Sequence, residues 1–243
     1  MSRTDLSEDG AVLLQTLTAP GRGLDAVAAR RRSLTALAAA TLVSLLVAFV
    51  AVPRLDFSDR ADLGSPAEAQ AMTQHQLEEA QAQAAKLGAI TGYAGAGFGP
   101  ALAALGTALS CWLAFRVAGT RPGLKATVAV SAHALLPLAL AQLLVLPAVL
   151  QKAPLRASEL AQLLPSSLAA LLPAQASPLA LAAASSLDLF GLWAAVLLAL
   201  GMARVAGASR RRAAAVVAIL WLAQIAFLKV APAAMAAGQR GGA

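Results

Sequence analysis

The sequence predicts an all-α fold: a polytopic membrane helix bundle of five transmembrane helices, with the N-terminus in the cytoplasm and the C-terminus outside (N-in/C-out). Hydrophobic residues make up 59% of the 243 residues and charged residues only 13%, which is too apolar for an ordinary soluble domain. Five stretches carry almost no charge over the roughly 18 or more residues that a helix needs to cross a bilayer. Basic residues cluster beside these stretches, where positive charge fixes membrane topology.

Charges and prolines bound the predicted spans. Arg30–Arg32 open the first span and Pro53 closes it, while Pro137 and Pro147 are predicted to kink the third. The spans are predicted at about 34–52, 88–116, 126–150, 183–205 and 213–231. The chain then divides into a cytoplasmic juxtamembrane segment (1–32), a five-span membrane domain (33–235) and a short C-terminal tail (236–243).

The distribution of Arg and Lys predicts the orientation. With the N-terminus inside, twelve basic residues lie in the cytoplasm, mostly in dense clusters, and seven lie outside, mostly scattered along longer loops. Short loops carry the most weight in this rule. A cleaved export signal at "ARRRSLTALAAATL" is the alternative, but the apolar run of about 19 residues exceeds the roughly 7 to 15 of a signal-peptide core. A retained first span is therefore predicted.

Two loops carry patterns of their own. Ser65, Pro66 and Glu68 stand in capping-box order, which predicts a polar helix that starts at Pro66 and runs into the second span. The segment 160–187 repeats leucines at three-and-four spacing but is broken by prolines. It is interpreted as interfacial helices, with a sixth span as the alternative that the sequence leaves open.

Within the spans, glycines recur four residues apart, as Gly88 with Gly92 and Gly95 with Gly99. This spacing lets helix backbones approach closely and predicts packing within the bundle or between protomers. His133 lies on the inner half of the third span. It is interpreted as a hydrogen-bonded packing residue, with a proton carrier as the alternative.

No catalytic, metal or cofactor site is predicted. Cys111 has no second cysteine to pair with, and His75 next to Glu78 and Glu79 lacks a second histidine that would favour a metal. The sequence contains neither a Gly-x-Ser-x-Gly elbow nor a Gly-rich nucleotide loop with a lysine. The net charge is +7, but its basic residues lie beside apolar spans, where they fix membrane topology. The charge therefore does not indicate binding of nucleic acid. A non-enzyme is predicted.

The C-terminal part of the chain resembles a known family. "SLDLFGLWAAVLLALGMARVAGASRRRAAAVVAILWL", residues 186–222, is similar to the C-terminal signature of the Yip domain family, five-span membrane proteins of the Rab/Ypt-interacting type. "APGRGLDAVAARR" is similar to the family's Pro-led juxtamembrane helix, and "SAHALLPLALAQLL" to its third span. The residues carried over from the signature are Asp188, Phe190, Trp193, Gly201, Gly207, Ser209 and Trp221. The resemblance implies the same five-span, N-in/C-out topology.

The resemblance also implies a class of function. Eukaryotic members bind Rab-type GTPases, but the acidic-aromatic motif of their cytoplasmic region does not occur ahead of the first span, so Rab binding is not carried over. The Arg and Ala excess indicates a GC-rich bacterial genome and hence the bacterial branch of the family. We expect an inner-membrane scaffold that acts by helix packing, with the lipid bilayer, other membrane proteins or a second copy of the chain as partners and no nucleic acid.

The alternative function is a small transporter or channel subunit that uses Asp188, His133 and Lys229. Asp188 and Lys229 lie at nearly equal distances along the chain from Ser209. Each is roughly 16 to 17 residues, or about 25 Å at 1.5 Å per residue, from the cytoplasmic turn. Three roles are open for Asp188: the fourth residue of a capping box that begins at Ser185, a possible ion pair with Lys229, or contact with a substrate or proton.

Overall fold

The computed structural model describes residues 3–57, 72–151, 155–156, 166–172, 177–232 and 234. Its described secondary structure is almost entirely α-helical, which confirms the all-α class. The helices are α1 (Arg3–Thr18), α2 (Pro20–Arg30), α3 (Leu34–Ala51), α4 (Gln74–Val117), α5 (Leu124–Ala134), α6 (Leu136–Gln151), α7 (Pro178–Ser185), α8 (Leu189–Val205) and α9 (Arg210–Ile225). Two short strands, β1 (Leu55–Asp56) and β2 (Leu155–Arg156), form one parallel pair.

Three helical segments are long and apolar enough to cross a membrane: Leu34–Arg54, Gln74–Val117 and Leu124–Gln151. The first three predicted spans lie within them. Helix α8 is also apolar but has 17 residues, about 25 Å at 1.5 Å per residue. The membrane helix bundle is thus confirmed, while five spans and their orientation stay predictions.

Helix α4 is a single helix of 44 residues that contains both a polar segment and the second predicted span. Thr73 and Gln76 form a capping box at its start: the Gln76 amide oxygen accepts from the Thr73 N–H at 2.8 Å, and the Thr73 hydroxyl oxygen accepts from the Gln76 N–H at 3.3 Å. The predicted continuation of a polar helix into the span is confirmed. The predicted cap at Ser65, Pro66 and Glu68 lies outside the described residues.

Kinks were predicted at two prolines of the third span, and the structure shows one break, near Pro137. The helix is interrupted at Leu135, two residues before Pro137, because a proline removes a backbone donor and crowds the preceding turn. Pro147 lies inside α6 without interrupting it.

The predicted fourth span, 183–205, is not one helix. Helix α7 ends at Ser185 and α8 begins at Leu189, because Asp188 adopts an extended backbone and starts a new helix. Within 160–187, residues 160–165 and 173–176 lie outside the described residues. The described helix α7 has eight residues, too short to cross a bilayer. After α9 the chain continues as a π-helical turn, Ala226–Val230.

The chain forms two compact units, and α3, α4 and α6 contribute residues to both. In the first unit (1–40, 100–141, 165–243), α8 contacts α2, α5 and α9, and α2 also contacts α1. The side chains of its core come from helices far apart in sequence. They include Leu24, Val27, Phe115, Val130, Leu197, Met202 and Val217.

The second unit (41–99, 142–164) contains the parallel strand pair and a tight contact at Gly88. The buried Phe57 ring lies against Gly88, where a Cβ would overlap it, and a Cβ at Gly92 would lie 3.0 Å from Val52 Cγ2. Two side chains thus pack closely on this glycine pair, while a close approach of another helix backbone there stays a prediction. Gly95 and Gly99 have no described neighbour within 4 Å, so packing between protomers there stays a prediction.

Gly201 tests whether α8 packs tightly in the first unit. A Cβ at this position would overlap Val130 Cγ1 and lie 3.3 Å from Leu24 Cδ2. Gly201→Ala should therefore lower the free energy of unfolding by about 1 to 3 kcal/mol through overpacking. Thermal unfolding of the purified protein in detergent measures this.

Gly106→Ala is the matched control, because Gly106 is also helical and has nothing described within 4 Å. It should leave stability unchanged or raise it by about 0.5 to 1 kcal/mol. Equal effects of the two substitutions would contradict the close contact at Gly201.

Candidate functional site

Asp188 is the N-cap of α8. Its Oδ1 accepts from the Gly191 N–H at 2.8 Å, which satisfies one of the free donors at the helix start. A Cβ on Gly191 would lie 2.5 Å from Asp188 Oδ2, so the glycine makes room for the carboxylate. Capping was one of the three roles that the sequence left open for Asp188, but its position differs, because Asp188 is itself the N-cap and not the fourth residue of a box that begins at Ser185.

Lys229 lies exposed in the π-helical turn after α9. The described ion pairs do not include one between Lys229 and Asp188. The cap to Gly191 accounts for one carboxylate oxygen of Asp188. Pairing of the two side chains therefore stays a prediction.

Other signature residues either pack in the core or form the helix ends between α8 and α9. Phe190 is buried and Trp193 packs against the main core. Gly207 follows α8 with a φ of +61°, a left-handed conformation that favours glycine. The Ser209 hydroxyl accepts from the Arg212 N–H at 3.3 Å and caps α9.

The sequence Arg-Val-Ala-Gly occurs twice, at 116–119 and 204–207, and ends α4 and α8 in the same way. Both glycines have positive φ, +82° at Gly119 and +61° at Gly207. The next residue's N–H then bonds the carbonyl five residues back: Thr120 to Phe115 at 2.9 Å, and Ala208 to Ala203 at 3.0 Å. Two helix ends therefore share one hydrogen-bonded glycine turn.

These two turns lie side by side. The Arg212 guanidinium at the start of α9 donates to the Ala118 carbonyl in the first turn. Its Nη2 lies 3.6 Å from where a Cβ of Gly119 would be. We call Arg121, Lys125, Arg210, Arg211 and Arg212 the turn surface, since all five belong to these two turns and the helix starts that follow them.

The helical hairpin α1–α2 contains a buried carboxylate. The Asp9 side chain is only 5% exposed, and its two oxygens lie 3.4 Å from Nη1 of Arg30 and 3.4 Å from Nη1 of Arg32. Glu8 binds Arg30 Nη2 at 3.0 Å but is 59% exposed. Asp9 thus joins α1 to the chain that enters α3.

Helix α2 is in turn bound to α8. Arg204 pairs with Asp25 through Nε, and its Nη2 donates to the Gly21 carbonyl at 3.1 Å. Leu24 and Val27 of α2 are fully buried in the core. The predicted Pro-led helix is confirmed, and it packs on the core of the first unit, while its juxtamembrane position stays a prediction.

His133 packs inside the first unit. Its Nδ1–H donates to the Ala129 carbonyl at 2.9 Å, and the ring lies beside Asp9 and Arg30 around a small cavity. This supports the packing interpretation. The described contacts do not bring His133, Asp188 and Lys229 together.

An apolar cavity of about 250 Å³ opens between α4, α6, α8 and α9, with Leu135 of the α5–α6 break also lining it. Trp221 of the signature lines it together with Cys111 and Leu198, and Ser110 and Gln224 add polar groups.

Within the part of the chain that the structure describes, no three His, Cys, Asp or Glu side chains cluster as metal ligands. His75 and Glu79 form an exposed pair at 3.4 Å.

Sequence reasoning missed the ion pairs of Asp9 and Asp25 and the paired turns. The repeated Arg-Val-Ala-Gly was a visible signal for the turns. The ion pairs had no local signal, because Asp25 and Arg204 are 179 positions apart.

A family model described as the Yip1 domain matches residues 14–231. The match includes α2, all the predicted spans and the whole α8–α9 hairpin. No curated protein and no solved structure matches the chain significantly.

The cap and the ion pair of Asp188 predict different mutational behaviour. Asparagine is as good an N-cap as aspartate, so Asp188→Asn should leave stability nearly unchanged, whereas Asp188→Ala should cost about 1 kcal/mol. Lys229→Met should have little effect. Thermal unfolding of the purified variants measures all three.

A double-mutant cycle of Asp188 and Lys229 tests the ion pair. If Asp188→Asn and Lys229→Met each lowered stability and the double variant recovered it, the two charges would be paired. The cap would then not be the main role of Asp188.

Proposed function

Because the chain belongs to the Yip1 domain family, we propose that it is a non-enzymatic membrane scaffold of a bacterial inner membrane. It organises protein or lipid partners by presenting packed helices. We further propose five spans in the N-in/C-out orientation. The arginine clusters support this orientation, and the closed hairpin of α8 and α9 supports a fourth and a fifth span.

The docked α1–α2 hairpin is the observation that supports a scaffold. A flexible juxtamembrane tail would lose conformational entropy when a partner bound it, whereas a hairpin packed on the bundle has already lost that entropy on folding. Gly23 allows the close approach within the hairpin, since a Cβ there would overlap the Thr16 backbone. Asp25 and Arg204 join the hairpin to α8.

The outward side of this hairpin offers a mixed surface to a partner. Leu14 is 63% exposed on α1 although it is apolar, and Gln15 and Arg22 are exposed near it in sequence. Exposed aliphatic and arginine side chains on one hairpin are suited to a protein interface. This surface is the proposed docking face for other membrane proteins.

Photo-crosslinking from position 14 in intact membranes tests the proposal. A photoreactive amino acid in place of Leu14 should form a discrete adduct with a specific membrane protein. Asp9→Ala should abolish that adduct, because loss of the buried acceptor costs about 1 to 3 kcal/mol and releases α1.

Glu8→Ala is the matched control, because Glu8 also pairs with Arg30 but is exposed, so it should cost at most about 1 kcal/mol and retain the adduct. An adduct that persists unchanged in Asp9→Ala, with the protein still folded, would show that the docked hairpin is not the presenting surface. Absence of any discrete adduct in the unmodified background would refute the docking of membrane proteins on this surface.

A further inference from the structure

We propose that the turn surface binds the anionic headgroups of phospholipids in the adjacent leaflet. This goes beyond the proposed scaffold role, because it assigns a lipid class and a set of residues. The proposed docking of proteins uses a different surface, the outward side of α1 and α2. The two ideas can therefore fail separately.

Charge segregation is the first observation. The stretches 116–125 and 204–212 contain seven basic residues and no acidic residue. Each glycine turn is followed by a helix start, α5 at Leu124 and α9 at Arg210, where the helix dipole adds partial positive charge. Both contributions favour an anion at the same place.

The described carboxylates of the N-terminal hairpin are paired elsewhere. Glu8 and Asp9 bind Arg30 and Arg32, and Asp25 binds Arg204. All five side chains of the turn surface are exposed, and no ion pair of theirs occurs among the described residues. The positive charge is thus available to an external partner.

The contact between the turns concentrates this charge. Arg212 donates to the Ala118 carbonyl, which brings the start of α9 next to the end of α4. Cations from two loops far apart in sequence therefore lie on neighbouring turns. A basic site between membrane helices at their ends is suited to a phospholipid headgroup.

Trp112 indicates that this region lies at headgroup depth. The Arg116 guanidinium lies over the Trp112 ring, 4.3 Å from its centroid, five residues before Arg121. Tryptophan is enriched at membrane–water interfaces, where its ring lies at the level of the headgroups. Val117 is the last residue of a helix that is long and apolar enough to cross a membrane, so the turn begins where this helix ends.

Lipid binding to the purified full-length protein in detergent tests the proposal. Native mass spectrometry would compare binding of phosphatidylglycerol with phosphatidylcholine. The variant Arg121→Gln/Arg210→Gln/Arg211→Gln should lose the preference for phosphatidylglycerol, by about fivefold for each removed cation and on the order of 100-fold together.

The matched control removes three exposed cations elsewhere: Arg54→Gln/Lys86→Gln/Lys229→Gln. It should keep the preference. High salt should weaken the preference of the unmodified protein, which provides a test without substitution. Thermal unfolding of both variants establishes that each is folded.

Three outcomes would overturn the proposal. The first is equal binding of the two lipids by the unmodified protein. The second is equal loss in both triple variants, which would make the effect one of net charge. The third is displacement of phosphatidylglycerol by inorganic phosphate, which would assign the surface to free phosphate.

Discussion

The packing of α8 against α5 and α2 at Gly201 is the contact on which the first unit depends. Without a side chain at that position, Val130 of α5 and Leu24 of α2 reach the same stretch of α8. Fully buried side chains from α2, α4, α5, α8 and α9 then complete one core. Helix α2, which precedes the first predicted span, is thereby part of the core of a membrane helix bundle.

The carboxylates of the first unit complement this packing. Asp9 and Asp25 are engaged by arginines that position α1 and α2, and Asp188 is engaged by the start of α8. Since the described acidic side chains near the N-terminus are used to fix the hairpin, the neighbouring turns keep a net positive charge. One distribution of charge thus accounts both for a fixed N-terminal hairpin and for an open basic surface.

The sequence predicted the features that depend on local patterns. Apolar run length and flanking charge located the three helical segments that are long and apolar enough to span, and the helix led by Pro20 was also predicted correctly. The resemblance to the Yip domain family, based on residues 186–222, agrees with the family to which the chain belongs. These features could be predicted because the signal for each is carried by residues that are close together in the sequence.

The features that the sequence did not predict are of two kinds. The apolar run before Arg204 gives no hydropathy signal for the break at Asp188, because a helix cap changes the backbone and hardly changes composition. The ion pairs of α1 and α2 join residues at least 21 positions apart, and a local pattern does not specify such partners. The sequence shows that Asp25 is acidic, but it does not show whether the carboxylate faces water or Arg204.

Amide hydrogen exchange of the full-length protein in a bilayer tests the central claim, that α2 is part of the bundle. The amides of residues 24–27 should exchange much more slowly than those of an unstructured peptide, because they lie in a helix whose Leu24 and Val27 side chains are buried in the core. Exchange at the rate of an unstructured peptide across α2, with α8 still protected, would contradict it.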